Sequence, residues 1–154
     1  MNDCAQPAGC VSSRGEFQIS TDRSRLDLAC IQTFLSESYW SPGIPIEVVR
    51  TAIANSICFG VYRCAEQVGF ARVITDRATF AYLADVFILP AWRGQGLGTW
   101  LIDAIMQHEN LQGLRRFMLA TRDAHELYRR FGFDLPAQPG RLMEILRARP
   151  YGGA

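Results

Sequence analysis

The chain has 154 residues, sixteen basic against fifteen acidic side chains, a formal net charge of +1 and 49% apolar residues, which fits one globular unit with its own core and gives no strong pull toward nucleic acid. Every basic residue is an arginine, and the missing lysine excludes both Schiff-base chemistry and a phosphate-binding P-loop. No apolar run approaches the ~20 residues of a membrane helix, and no basic patch followed by an apolar stretch opens the chain, so no membrane or secretory segment is read and a cytoplasmic location is expected.

Residues 1–15 mix Cys, Pro, Gly and Ser without periodicity and read as a disordered tail, leaving residues 16–154 as one domain. Phe17–Ser20 reads as a short strand. After a capping region at Thr21 or Asp22, Leu26, Ala29, Cys30, Phe34 and Leu35 recur at helical spacing. The turn-rich loop Tyr39-Trp40-Ser41-Pro42-Gly43-Ile44-Pro45 follows, then a helix over Ile46–Ala54. Ile57–Cys64, Val68–Thr75 and Thr79–Leu89 read as three consecutive antiparallel strands.

Leu97–His108 carries an amphipathic helical pattern, Arg116–Ala120 a strand, Asp123–Arg130 a short helix ended by Gly132, and Arg141–Leu146 a last strand. A helix crossing between the strands at 79–89 and 116–120 makes that pair parallel inside an otherwise antiparallel sheet.

Cysteines stand at 4, 10, 30, 58 and 64 with no Cys-x-x-Cys pair, and only two histidines occur. Cys58 and Cys64, six apart in a strand-like segment, are expected on one face of the sheet as buried free thiols, and no metal site is expected.

Residues 90–100 read Pro-Ala-Trp-Arg-Gly-Gln-Gly-Leu-Gly-Thr-Trp, between a strand and a helix. A glycine turn that opens a helix presents backbone N–H groups and a partial positive charge, the arrangement that holds a phosphate or pyrophosphate. The spacing is not that of a dinucleotide fingerprint, and the run comes late in the chain.

The strand Val86-Phe87-Ile88-Leu89 followed by Arg93-Gly94-Gln95-Gly96-Leu97-Gly98 resembles the acyl-CoA signature of the GNAT superfamily of N-acetyltransferases. Ala124-x-x-Leu127-Tyr128-x-x-Phe131-Gly132-Phe133 is similar to a second segment of that family, about thirty residues on. The resemblance implies an α/β fold: a mixed, mostly antiparallel sheet with a splayed parallel pair, flanked by helices. It implies acetyl-CoA as co-substrate and transfer of its acetyl group to a primary amine of a small molecule or peptide, by direct attack in a ternary complex. A non-catalytic acyl-CoA-binding or interaction module of the same fold is the alternative.

Under this resemblance the coenzyme contacts fall on Arg93, Gly94, Gln95, Gly96, Leu97, Gly98 and Thr99 for the pyrophosphate, and on the backbone near Phe87 and Ile88 for the pantetheine arm. Thr121 stands where the family often has an asparagine that contacts the coenzyme. Tyr128 takes the general-acid position. An ordinary phenol (~10) giving its proton to a thiolate (~8.5) is uphill by about 2 kcal/mol. Asp85, a carboxylate inside an apolar run, is a candidate base or a structural group that needs a partner. Tyr39 and Trp40 fall in the loop that lines the acceptor pocket in the family. No nucleic-acid or membrane partner is expected, and pairing of sheet edges between two copies is the oligomer such a fold allows.

Overall fold

The computed structural model describes residues 9–152. Six strands form one sheet in the order β1-β2-β3-β4-β5-β6: Cys10–Arg14, Phe17–Ser20, Ile57–Arg63, Glu66–Thr75, Phe80–Ile88 and Arg116–Leu119. Strands β1 to β5 run antiparallel to their neighbours, and β5 and β6 are parallel. Helices α1 (Leu28–Glu37) and α2 (Ile46–Ala54) lie between β2 and β3, α3 (Leu97–Met106) crosses from β5 to β6, and α4 (His125–Arg129) follows β6. The mixed sheet and its parallel pair agree with the arrangement read from the sequence.

Successive strand residues face opposite sides of a sheet, and here both sides are buried. Phe59, Ala71, Val73 and Leu83 pack with Leu97, Leu101 and Ile105 of α3. Their neighbours Cys58 and Phe70 turn the other way and pack with Ile31, Leu35 and Val49 of α1 and α2. This explains why β3 and β4 read as near-continuous apolar runs rather than as clean alternation. Cys58 and Cys64 do not share a face: Cys58 is buried, whereas Cys64 lies exposed beyond the end of β3 with φ of 51°.

The strand over Cys10–Arg14 corrects the expected tail at residues 1–15; residues 1–8 lie outside the described residues. Its Val-Ser-Ser core carries too little apolar content to announce a strand. It is held instead by a hairpin turned at Gly15 (φ +58°), by backbone pairing to β2, and by the Trp100 Nε1–H donating to Ser12 Oγ at 2.9 Å. The second correction is the last strand expected over Arg141–Leu146. A single turn of 3₁₀ helix spans Pro139–Arg141, and no strand follows it among the described residues. Helix α1 also starts later than the spacing suggested. Asp22 caps a 3₁₀ turn, and the α1 N-cap is Asp27, which accepts from Cys30 N at 3.0 Å.

No helix among the described residues is long and apolar enough to cross a membrane. The β4–β5 turn is organised by Asp76, whose carboxylate accepts from the amides of Ala78, Thr79 and Phe80 and from the Thr79 hydroxyl. These donors hold its pKa far below the ordinary carboxylate range, the Thr79 amide first among them. A lowered folded pKa adds stability above the unfolded value of about 3.9 and loses it as pH falls toward the folded one. Thermal unfolding from pH 5 down to pH 2 should therefore show a smaller loss of midpoint for Asp76→Asn than for the native chain.

Candidate active site

The parallel pair β5–β6 is in register from Phe80↔Arg116 to Leu83↔Leu119 and stops there. Strand β5 continues to Ile88, so from Ala84 onward its edge on the β6 side is open. The separation coincides with a bulge. Opposite β4, the register runs Arg72↔Ala84 and then Phe70↔Phe87, so Asp85 and Val86 together face Ala71. Asp85 carries φ of +55°, a left-handed conformation uncommon for a residue other than glycine. A bulge of this kind bends its strand and raises the local twist, which turns the C-terminal half of β5 away from β6.

The bulge is held by charge. Asp85 Oδ2 accepts from Arg72 Nε at 2.6 Å, and Oδ1 accepts from Trp40 Nε1 at 2.9 Å. The ion pair is largely buried, with side-chain exposures of 17% for Arg72 and 7% for Asp85. Arg72 also donates to Ser56 Oγ at 3.2 Å. Both Asp85 oxygens are thus engaged, and taking up a proton from a substrate would cost one of these contacts. The same interaction anchors the α1–α2 loop: Trp40 packs edge-on against Tyr39 at 5.0 Å, and the Arg122 guanidinium lies 4.0 Å from the Tyr39 ring centre.

Residues around the open edge divide by direction. Leu89 N–H donates to Val68 O at 2.8 Å, so Leu89 faces β4. Alternation then turns the backbone of Ile88 outward to the slot and that of Phe87 inward to β4. Phe87 is buried, stacked on Phe34 at 3.9 Å. The slot-facing backbone is therefore that of Ile88 and, one step back, Val86, on either side of Phe87.

The glycine loop follows. Arg93 folds back, its Nε donating to Ile88 O at 2.9 Å and its own amide to Pro90 O at 3.3 Å. It pins the loop rather than offering a free amide. Gly94 and Gly96 take φ of +80° and +79°, and Gly96 is the α3 N-cap with no side chain capping the helix. The first helical bond joins Trp100 N to Gly96 O, so the amides of Leu97, Gly98 and Thr99 have no acceptor inside the helix. A Cβ on Gly98 would meet only Ile88 Cγ1, at 3.9 Å. Three free amides and a helix dipole at an uncapped end fit a phosphate group.

Arg14 was not expected here. Its guanidinium lies 4.9 Å from the Trp100 ring centre, and its Nη1 comes within 3.9 Å of where a Gly96 Cβ would stand. It escaped notice because β1 did. Arg72 gave a better signal: a lone charge in an apolar strand needs a partner, and Asp85 is the matching lone charge on the next strand.

Tyr128 is 8% exposed and shares an apolar cluster with Leu97, Trp100 and Leu101. Burial pushes its phenol up to about 12, with a smaller contribution from the neighbouring Tyr39. Thr121 Oγ1 accepts from Ala124 N at 3.0 Å and caps the turn into α4. Thr121 and Tyr128 line a cavity of about 540 Å³ on the β6 side, which does not include the glycine loop. Cys58 is no nucleophile near neutral pH, since burial pushes its thiol up to about 11. No cluster of His, Cys, Asp and Glu able to hold a metal occurs among the described residues.

Known proteins share this arrangement. The acetyltransferase (GNAT) domain pattern matches residues 54–135, from the end of α2 to just beyond α4. A Gibberella zeae protein described as a candidate acetyltransferase is 37% identical, over 75% of this chain and 77% of its own.

This chain belongs to the GNAT family of acetyltransferases.

A Xanthomonas campestris protein described as a GNAT-family acetyltransferase superposes with a TM-score of 0.87 at 51% identity, over 89% of this chain and 97% of its own. A Mycobacterium tuberculosis protein solved with CoA shares the fold, with a TM-score of 0.62 at 18% identity over 79% and 77% of the two chains. The GNAT chain described here is thus an acyltransferase, whose acetyl donor and amine acceptor are taken up below.

Removing one partner of a largely buried ion pair leaves the other charge uncompensated, at a cost of about 3 kcal/mol. Asp85→Asn keeps a residue that tolerates φ > 0, so thermal unfolding should read that electrostatic loss as a midpoint lower by about 6–12 °C. A variant of native stability with turnover abolished would instead make Asp85 the general base.

Proposed function

We propose that this enzyme transfers the acetyl group of acetyl-CoA to a primary amine of a small molecule or peptide, by direct attack within a ternary complex. The observation that carries the reading is the coincidence of two vacant sets of backbone donors. One lies along the open edge of β5 at Val86 and Ile88, and the other at the uncapped start of α3. An extended amide-bearing arm pairs with the first as an added strand would. A diphosphate sits at the second, with the Arg14 guanidinium beside it.

The reaction needs a neutral amine, a stabilised oxyanion and a protonated leaving thiolate. The amine sheds a proton to solvent and attacks the thioester carbonyl. The oxyanion forms against a slot-facing N–H of β5, and the C–S bond breaks as the thiolate accepts the Tyr128 proton. The nitrogen of the adduct releases its second proton to solvent, from which the phenolate is refilled. With the phenol near 12 and a free thiol near 8.5, full transfer is uphill by about 5 kcal/mol. Tyr128 therefore delivers its proton as the bond breaks, through a hydrogen bond to sulfur, rather than in a separate step.

Asp85 acts by position. It fixes Trp40 and, through it, Tyr39 at the mouth of the split, where the aromatic rings receive the acceptor. A nucleophilic cysteine has no place in this route, since the buried Cys58 thiol is the one the apolar core holds protonated.

Tyr128→Phe should lower kcat by about 10²-fold or more while calorimetry finds CoA affinity within about threefold of native. Because burial raises the phenol, the rate should climb as the amine loses its proton and show no fall up to pH 10.5. An ordinary tyrosine would make it fall. An unchanged kcat removes Tyr128 from the reaction.

Gly98→Asp places a carboxylate at the start of α3, where the helix dipole favours it by about 0.3–1 kcal/mol and the space is open. The folded chain should be no less stable, yet its CoA dissociation constant should rise by about 100-fold or more. Unaltered affinity would overturn the assignment of this loop.

A further inference from the structure

We propose that the acceptor amine also carries an anionic group, a carboxylate or a phosphate, and that the Arg122 guanidinium binds that group at the mouth of the split. The inference rests on the acetyl-transfer reading above and names the class of acceptor for it.

Two aromatic rings stand where the acceptor enters, and the charges that touch them decide what it can carry. Trp40 donates to Asp85, whose charge is already matched by Arg72 at 2.6 Å. Tyr39 is covered by Arg122, whose guanidinium carbon lies 4.0 Å from the ring centre. Among the described residues, the one ion pair of Arg122 is with Asp123 at 3.9 Å, an exposed contact too long for a hydrogen bond. Arg129 of α4 is by contrast engaged by Glu126 at 3.1 Å and by Asp134 at 3.6 Å. Of the two charged groups on the rings, the carboxylate therefore has its counter-ion, and the cation is open to one.

Arg122 is also held in place. Thr121 Oγ1 accepts from Ala124 N at 3.0 Å, which closes the turn that carries Arg122. A guanidinium over an aromatic face is attracted by the ring, and its rigid fork of N–H donors matches a carboxylate or a phosphate at two points. Tyr39 in turn lies close enough to Tyr128 to raise its phenol, so Arg122 stands one ring away from the proton donor of the reaction. An acceptor anchored there by its anion has its amine beside the thioester. A second positive charge on the acceptor would meet Arg122 in place of a carboxylate, which turns polycationic amines away.

Thiol release from acetyl-CoA tests this with matched amines: amino acids against their carboxamides, and amino-sugar phosphates against the unphosphorylated sugars, each at equal concentration of neutral amine. An anionic member should exceed its neutral counterpart in kcat/KM by about tenfold or more, and the pair that shows it tells carboxylate from phosphate. Arg122→Gln should remove that preference through KM rather than kcat. Arg122→Lys, which keeps the charge and loses the fork, should recover part of it. Calorimetry should find CoA affinity within about threefold of native in both variants. Three results would overturn the inference and leave acetyl transfer standing: neutral members used as well as anionic ones, a preference that survives Arg122→Gln, or an equal rise in KM for both members, the mark of a residue that only supports Tyr39. A loss of CoA affinity would do the same, by putting Arg122 on the coenzyme. Absence of thiol release with every amine would overturn the acetyl-transfer reading and this inference with it.

Discussion

One ion pair in the middle of the sheet shapes everything that makes this GNAT protein a catalyst. Arg72 on β4 and Asp85 on β5 meet at 2.6 Å in a largely buried setting. Asp85 holds the left-handed backbone that lets two residues of β5 oppose one of β4. Without the bulge β5 would continue in register beside β6, and the backbone groups beyond Leu83 would be consumed by a ladder. With it, the sheet stays continuous where the core needs it and opens where an extended ligand can enter. The strain of one residue at φ > 0 is offset by a charge pair whose second oxygen also fixes the α1–α2 loop.

The two halves of the proposed coenzyme site follow the same logic. Backbone amides carry no side-chain signature, and they become a site only when the fold denies them internal partners. Along β5 the bulge does this. At α3 the glycines do, since Gly94 and Gly96 turn through conformations a larger residue resists and leave the helix without a side-chain cap. Arg93 contributes by tying that loop to the carbonyl of Ile88, so strand edge and helix start are one rigid unit.

How much of this was legible in the sequence depends on what kind of force decides each element. Strands β3 to β5 are announced by apolar runs and helix α3 by apolar periodicity, and these were readable. Strand β1 is fixed by pairing and by Ser12 and Arg14 against Trp100, contacts eighty or more residues distant, and nothing local announces it. Asp85 was conspicuous as a charge among apolar neighbours, but residue type alone could not separate a base from a group that holds Arg72 and Trp40. The segment at 141–146 was misread for the opposite reason. Its apolar residues do have the composition of a strand, yet Met143, Ile145 and Leu146 stay exposed and pair with no strand among the described residues.

The central claim is that β5 beyond the bulge and the start of α3 form one ligand-receiving surface made of main-chain donors. Amide hydrogen exchange, followed residue by residue with and without CoA, tests it most directly. The account predicts new protection at Ile88 and Val86 and at Gly94 to Thr99, with β1 to β4 unaffected. Protection that appears elsewhere and leaves these amides exchanging as before would contradict it.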